Sequence, residues 1–131
     1  MRTLVLAAAS LLAASAAPAA ASPLMGLWTS PKGNVTVRIA PCGRQLCGEV
    51  VEASAKAKRR AAKQGVTSLV GEPLLNNIMP SGPGRWTGKV FVPRLGTHVG
   101  GRITMQGQDR MLVSGCYAAI ICRSAVYRRV G

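Results

Sequence analysis

The spacing of the apolar segments is the feature that most restricts the fold of this chain. From residue 26 onward, short apolar segments alternate with turns that contain Gly, Pro or Asn. In residues 35–39, three β-branched side chains alternate with Thr36 and Arg38, as in a strand with one buried face. The connections are too short for the crossovers that parallel strands need, so the sequence predicts an antiparallel meander.

About eight strands are predicted. They lie at residues 26–30, 35–39, 46–52, 74–78, 85–92, 97–105, 111–117 and 121–130, with another short apolar segment at 66–70. Pro41 is expected to end the second strand, and residues 80–84 are expected to form a long turn. Because closure removes exposed sheet edges, we predict an all-β fold with one antiparallel up-and-down barrel.

Residues 53–64 differ from the rest of the chain. They are rich in Ala, Lys and Arg and lack the β-branched side chains of a strand, which favours an exposed helical turn or a mobile loop closed by Gly65. Five basic residues in this segment are candidate contacts for an anionic surface or a protein partner: Lys56, Lys58, Arg59, Arg60 and Lys63. The alternative is that they only hydrate the loop.

The N-terminal residues follow the pattern of a secretory signal peptide, with a basic start, an apolar middle and small residues before a cleavage site. We predict cleavage after Ala21, so that residues 22–131 form a single periplasmic or secreted domain. The apolar stretch is too short to span a bilayer, and no spanning segment is predicted later in the chain. Loss of Arg2 with residues 1–21 lowers the formal net charge from +13 to +12.

Export to an oxidising compartment favours disulfides over reactive thiols or zinc ligands. The four cysteines allow three pairings. Cys42 and Cys47 enclose four residues, and Cys116 and Cys122 enclose five, spacings that a tight hairpin can bridge. We therefore predict these two local disulfides. A zinc site is the alternative, but the spacings differ from the two-residue knuckles that are usual for structural zinc.

The composition argues against several classes of function. With one His and one Asp in the chain, a histidine-rich metal site or an Asp-based multi-metal centre cannot be built, and no metal or cofactor is predicted. The sequence contains no spaced Ser/His/acid set and no glycine-rich phosphate loop, so we do not expect an enzyme. Export, and the lack of aromatic residues within the basic segment, argue against nucleic-acid binding.

Several motifs in order resemble the exported bacterial family known as domain of unknown function 2147. They are Gly26-Leu27-Trp28, Pro41-Cys42-Gly43 with Leu46-Cys47-Gly48, Gly84-Arg85-Trp86-x-Gly88, Phe91-Val92-Pro93, and Ser114-Gly115-Cys116 with Cys122-Arg123-Ser124. The resemblance implies a lipocalin-like barrel with a cavity for a small, largely apolar ligand. Two segments depart from the family pattern: residues 125–127 replace a Gln-Thr-Trp-type strand, and residues 56–63 are basic where relatives often carry acidic and Asn residues.

Aromatic residues on the predicted strands are the candidate ligand contacts. They are Trp28, Trp86, Phe91 and Tyr117, with apolar walls supplied by Val35, Val37, Ile39, Val90, Val92 and Ile103. For Trp28 the alternative is a structural plug at one end of the barrel, with Arg128 or Arg129 against its ring.

Two functions are open at this point. The first is a lipocalin-like protein that binds a small apolar or amphipathic molecule in its barrel. The second is a basic envelope protein that contacts an anionic surface or a protein partner and uses the barrel only as a scaffold.

Overall fold

The computed structural model describes residues 22–118 and 120–131, so the predicted signal peptide, residues 1–21, lies outside the described residues. The chain forms eight strands and one helix. In order these are β1 Gly26–Thr29, β2 Val35–Cys42, β3 Gln45–Ala53, α1 Ala55–Lys63, β4 Pro73–Gly82, β5 Arg85–Val92, β6 Thr97–Met105, β7 Arg110–Tyr117 and β8 Ile121–Arg129.

The eight strands close into an antiparallel up-and-down barrel, which confirms the predicted fold class. Each strand pairs with its neighbours in sequence, and β1 closes the barrel against β8 by pairing Trp28 with Arg129 and Thr29 with Arg128. The barrel end at which β1 begins is called the closed end below, and the end that carries α1 is called the mouth. No helix within the described ranges is long and apolar enough to cross a membrane.

Two prolines that were expected to interrupt strands lie inside them. β2 continues through Pro41 to Cys42, and β4 continues through Pro80 to Gly82, so the reversal before β5 is a short turn with Gly84 at φ +65°. Both expectations were wrong for the same reason. At each proline the strand has extended past one of its two neighbours, and on that side no ladder hydrogen bond needs the missing N–H.

The basic segment is a helix, the first of its two predicted forms. Ser54 caps α1, since its hydroxyl accepts a hydrogen bond from the Ala57 N–H at 3.1 Å. The chain leaves the helix through Gly65, at φ +89°. Ala57 and Ala61 are buried. Their small side chains let the helix lie close over the barrel.

The apolar segment 66–70 forms no strand. It is part of the connection from α1 to β4, where Leu69 is buried with Val37, Val50 and the two helix alanines in a core cluster under α1. Backbone hydrogen bonds fix the end of this connection on β3: Gly71 N–H donates to the Val50 carbonyl, and Val50 N–H donates to the Glu72 carbonyl.

Both predicted disulfides are present, at opposite ends of the barrel. Cys42–Cys47 closes the β2–β3 hairpin at the closed end, with 5.8 Å between Cα atoms. Cys116–Cys122 joins directly paired residues of the β7–β8 hairpin at the mouth, with 4.1 Å between Cα atoms. Each bridge spans a short loop, so its main effect is to fix the geometry of one hairpin.

The main apolar core fills the closed end around Trp28. Its indole is fully buried, and Nε1 donates a hydrogen bond to the Leu24 carbonyl at 2.8 Å. Gly26, two residues earlier, allows the start of β1 to approach the C-terminal residue closely, because a Cβ there would lie 2.5 Å from the Gly131 carbonyl oxygen. Trp28 therefore plugs one end of the barrel. The other buried members of this core are Leu24, Ile39, Leu75, Ile78, Trp86, Ile103, Met111 and Val113.

Arg129 links three parts of the closed end. Its guanidinium carbon lies 4.3 Å from the ring centroid of Trp28, a cation–π contact. Nε donates to the Gln108 carbonyl at 2.9 Å, in the β6–β7 turn, and one terminal nitrogen donates to the Met25 carbonyl at 2.9 Å. The other terminal nitrogen donates to the Pro23 carbonyl. One side chain thus joins the last strand, a hairpin turn and the segment before β1.

Replacement of Arg129 by Met should destabilise the barrel. We expect Arg129→Met to lower the free energy of unfolding by about 2–4 kcal/mol, because it removes charged hydrogen bonds and the cation–π contact while keeping an apolar side chain. Urea denaturation gives the difference. Arg128→Met, at the exposed neighbouring position, is the control and should stay within about 0.5 kcal/mol of the parent. Equal losses in the two variants would contradict this role for Arg129.

Candidate functional site

Two cavities lie side by side at the mouth. The helix-side cavity, of about 190 Å³, lies between α1, the β1–β2 connection and the start of β4. The hairpin-side cavity, of about 210 Å³, lies between β5 and the β7–β8 hairpin. Both are lined by Pro93 and Tyr127, so they adjoin across these two residues. Together they are called the mouth cavities below.

The helix-side cavity is largely apolar because α1 faces it with alanines. Ala57 and Ala61 are buried there opposite Val35, Leu69 and Leu74. Two polar helix residues, Arg60 and Gln64, also line it. They follow Ala57 and Ala61 by three residues each, a spacing that places all four on one side of a helix.

The pairing of β7 with β8 explains the hairpin-side cavity. Val113 pairs with Ala125 and Gly115 pairs with Arg123, and directly paired residues share a face of the sheet. All four line the cavity, together with Val90, Val92 and Tyr117. Gly115 adds no side chain to this wall. A Cβ there would lie 3.3 Å from Val99 Cγ2, a tight contact.

Tyr127 lies between the two cavities and packs against both core clusters. Burial raises the pKa of its phenol above the usual value of 10.0, because the charged form would lose hydration. Within the described part of the chain, its hydroxyl has no hydrogen-bond partner and is not sealed from solvent. The mouth cavities therefore contain a neutral hydroxyl that is free to donate to a ligand.

The four predicted aromatic contacts divide into two pairs. Trp28 and Trp86 belong to the core of the closed end and do not line the mouth cavities. Phe91 and Tyr117 line the hairpin-side cavity. Phe91 is at its rim, and its ring lies 5.2 Å from the ring of His98, its partner on β6.

Three residues that line the mouth cavities, Tyr127, Arg60 and Arg123, were not among the predicted ligand contacts. Tyr127 was considered only as a departure from the family pattern, although it alternates with Ala125 along the strand. Arg60 was grouped with the other basic residues, and Arg123 was quoted only within a cysteine motif. A charged residue in an alternating strand predicts a solvent face, so no sequence signal placed Arg123 in a cavity.

The five basic residues of α1 are all exposed. Only Arg60 lines a mouth cavity, and Lys56, Lys58, Arg59 and Lys63 do not. These four are called the outer basic residues below. The structure thus divides the basic segment into one residue at the cavity and four directed elsewhere.

The strands of the barrel span the same residues as a match to a protein family. A family model described as "Uncharacterized protein conserved in bacteria (DUF2147)" matches residues 26–129, from the start of β1 to the end of β8. Comparison with curated proteins and with solved structures gives no match.

The buried phenol of Tyr127 should make stability fall at alkaline pH. Because the pKa of Tyr127 is raised in the folded protein, the unfolded chain releases this proton at a lower pH. The contribution of the neutral phenol to the free energy of unfolding is therefore complete below about pH 10 and is lost as the pH rises through the folded-state pKa. Urea denaturation at about pH 8 and about pH 11 measures the loss, which should be smaller in Tyr127→Phe. Tyr117→Phe keeps Tyr127 and should retain the parental loss. A Tyr127→Phe variant with the full parental loss would contradict the assignment.

Proposed function

Because this chain belongs to the DUF2147 family of uncharacterized bacterial proteins, which carries no assigned activity, we propose its function from the barrel itself. We propose that it binds a small apolar or amphipathic molecule in the mouth cavities. No catalytic step is part of this proposal. The two disulfides support a site of action outside the cytoplasm, in the periplasm or after secretion.

The unequal filling of the barrel is the observation that carries the proposal. Inside the barrel the closed end is filled by Trp28 and the core around it, and the groove of about 680 Å³ at that end lies outside this plug, between the segment before β1 and the β6–β7 turn. At the mouth, two adjoining cavities lie between apolar side chains. An eight-stranded barrel is at the size where the interior is either filled by side chains or holds one small ligand. The filled closed end and the cavities at the mouth support a ligand at the mouth alone.

The size and chemistry of the mouth cavities suit a ligand. Each has a volume near 200 Å³, and together they reach the lower part of the range for small-molecule sites, about 300–1,000 Å³. Their lining is mostly aliphatic, with the polar groups at a few points: Arg60, Gln64, Arg123 and the Tyr127 hydroxyl. A ligand in such a cavity gains affinity by burying apolar surface, and a few polar contacts orient it.

A larger side chain inside the hairpin-side cavity should block binding. Ala125→Leu places extra carbons in the cavity and should lower affinity for the neutral apolar dye N-phenyl-1-naphthylamine about fivefold or more, measured by fluorescence. Val126→Leu adds bulk to the opposite face of the same strand and should bind as the parent does. Thermal unfolding checks that both variants fold.

The same experiment can contradict the proposal. Undiminished dye binding in folded Ala125→Leu would place the dye outside the cavity, and absence of binding to the parent would remove the support for a ligand site. Native mass spectra of the gently purified protein, before and after solvent extraction, give the mass of any natural occupant.

We propose contact with an anionic envelope surface as a second candidate function. Large apolar side chains are exposed on connections at the mouth, namely Ile120, which is 85% exposed, and Leu95 and Val70. The outer basic residues are on the same end of the barrel. Apolar tips beside lysines and arginines form a surface suited to a membrane with anionic headgroups.

Neutral substitution of the outer basic residues tests this second function. Combined replacement of Lys56, Lys58, Arg59 and Lys63 by Gln, with Arg60 kept, should abolish cosedimentation with phosphatidylglycerol vesicles at low salt, since each basic residue contributes about 1 kcal/mol near such a surface. Vesicles of phosphatidylcholine alone are the control and should bind neither protein. Retention that persists in the variant, or that does not respond to salt, would exclude this role for α1.

A further inference from the structure

The two arginines on the lining of the mouth cavities define the charge of the ligand. We propose that the occupant is a single-chain amphiphile with an anionic headgroup, either a carboxylate or a phosphate. This inference rests on the proposed function and adds to it the chemical class of the ligand.

Arg60 is exposed, but it lies at the edge of the helix face that covers the barrel. It lies three residues after Ala57 and directly before Ala61, the two buried residues of α1, and it lines the same cavity as they do. Arg59 and Lys63 carry the same charge on the same helix without lining the cavity. Arg60 therefore differs from the other basic residues of α1 in that it lines the cavity.

Arg123 is the corresponding residue of the hairpin-side cavity. Arg123 is exposed, its strand face otherwise carries Ala125 and Tyr127, and its cross-strand partner is Gly115. Arg128, further along β8, is exposed on the outer face and lines neither cavity. Each cavity thus has one arginine on an apolar wall.

The charges around the two arginines have one sign. None of the four acidic residues, Glu49, Glu52, Glu72 and Asp109, lines either cavity. A guanidinium remains charged at all physiological pH values, and its fork of N–H donors matches the two oxygens of a carboxylate or phosphate. The Tyr127 hydroxyl between the cavities supplies one more donor. The high positive charge of the whole chain also attracts anions to the mouth.

Four probes with the same decyl chain separate headgroup charge from tail burial. They are decanoate, decyl phosphate, 1-decanol and decyltrimethylammonium. Calorimetric titration of the purified protein, at probe concentrations below aggregation, gives the four affinities. We expect one of the two anions to bind about tenfold more tightly than 1-decanol, which is the contribution of one charged hydrogen bond, and the cation to bind most weakly. The anion that binds more tightly identifies the headgroup.

Matched arginine variants test the placement of that headgroup. Arg60→Gln and Arg123→Gln should each lower affinity for the preferred anion about threefold and leave 1-decanol within about twofold. Arg59→Gln and Arg128→Gln remove the same charge from the same helix and the same strand, away from the cavities. Both controls should stay within about twofold of the parent for every probe.

The outcomes distinguish this inference from the function on which it rests. Equal affinities for 1-decanol and the anions, tighter binding of the cation, or equal losses in Arg59→Gln and Arg60→Gln would overturn the anionic headgroup and leave apolar ligand binding in place. Failure of all four probes to bind the parent would overturn the proposed function together with this inference.

Discussion

The contact of Arg129 with Trp28 is the interaction on which the two-ended character of the barrel depends. It lies where β8 pairs with β1, so it stabilises the seam that turns a meander into a closed barrel. The same guanidinium holds the segment before β1 and the β6–β7 turn over the indole. With the interior of one end filled by this arrangement, the mouth cavities lie at the opposite end, and one of them is lined by α1.

The fold was predictable because alternation and turn residues are local signals that the barrel obeys. The spacing of short strands predicted their order and antiparallel pairing, and the cysteine spacing predicted both hairpin bridges. The limits of two strands were not predictable, since Pro41 and Pro80 are tolerated only because each neighbouring strand stops short. That condition is set by the closure of the sheet, which is a property of the whole barrel and leaves no mark in the nearby sequence.

The candidate site was predictable only in part. Alternation assigns a residue to the inner face of a barrel, but it does not give its depth along the axis, so Trp28, Trp86 and Tyr117 were equal candidates. The closed end takes the two tryptophans and the mouth takes Tyr117. Arg123 was missed because it is exposed and also lines a cavity, and sequence patterns assign an exposed charged residue to solvent alone.

The same two prolines have a consequence for how molecules of this protein meet one another. Where β2 and β4 extend past a neighbour, the backbone has an unpaired side that could accept a strand from a second copy. Pro41 and Pro80 are within these extensions, and a proline has no N–H to offer an incoming strand. An incoming strand therefore meets few N–H donors at these extensions, which disfavours edge-to-edge association of two barrels at the closed end.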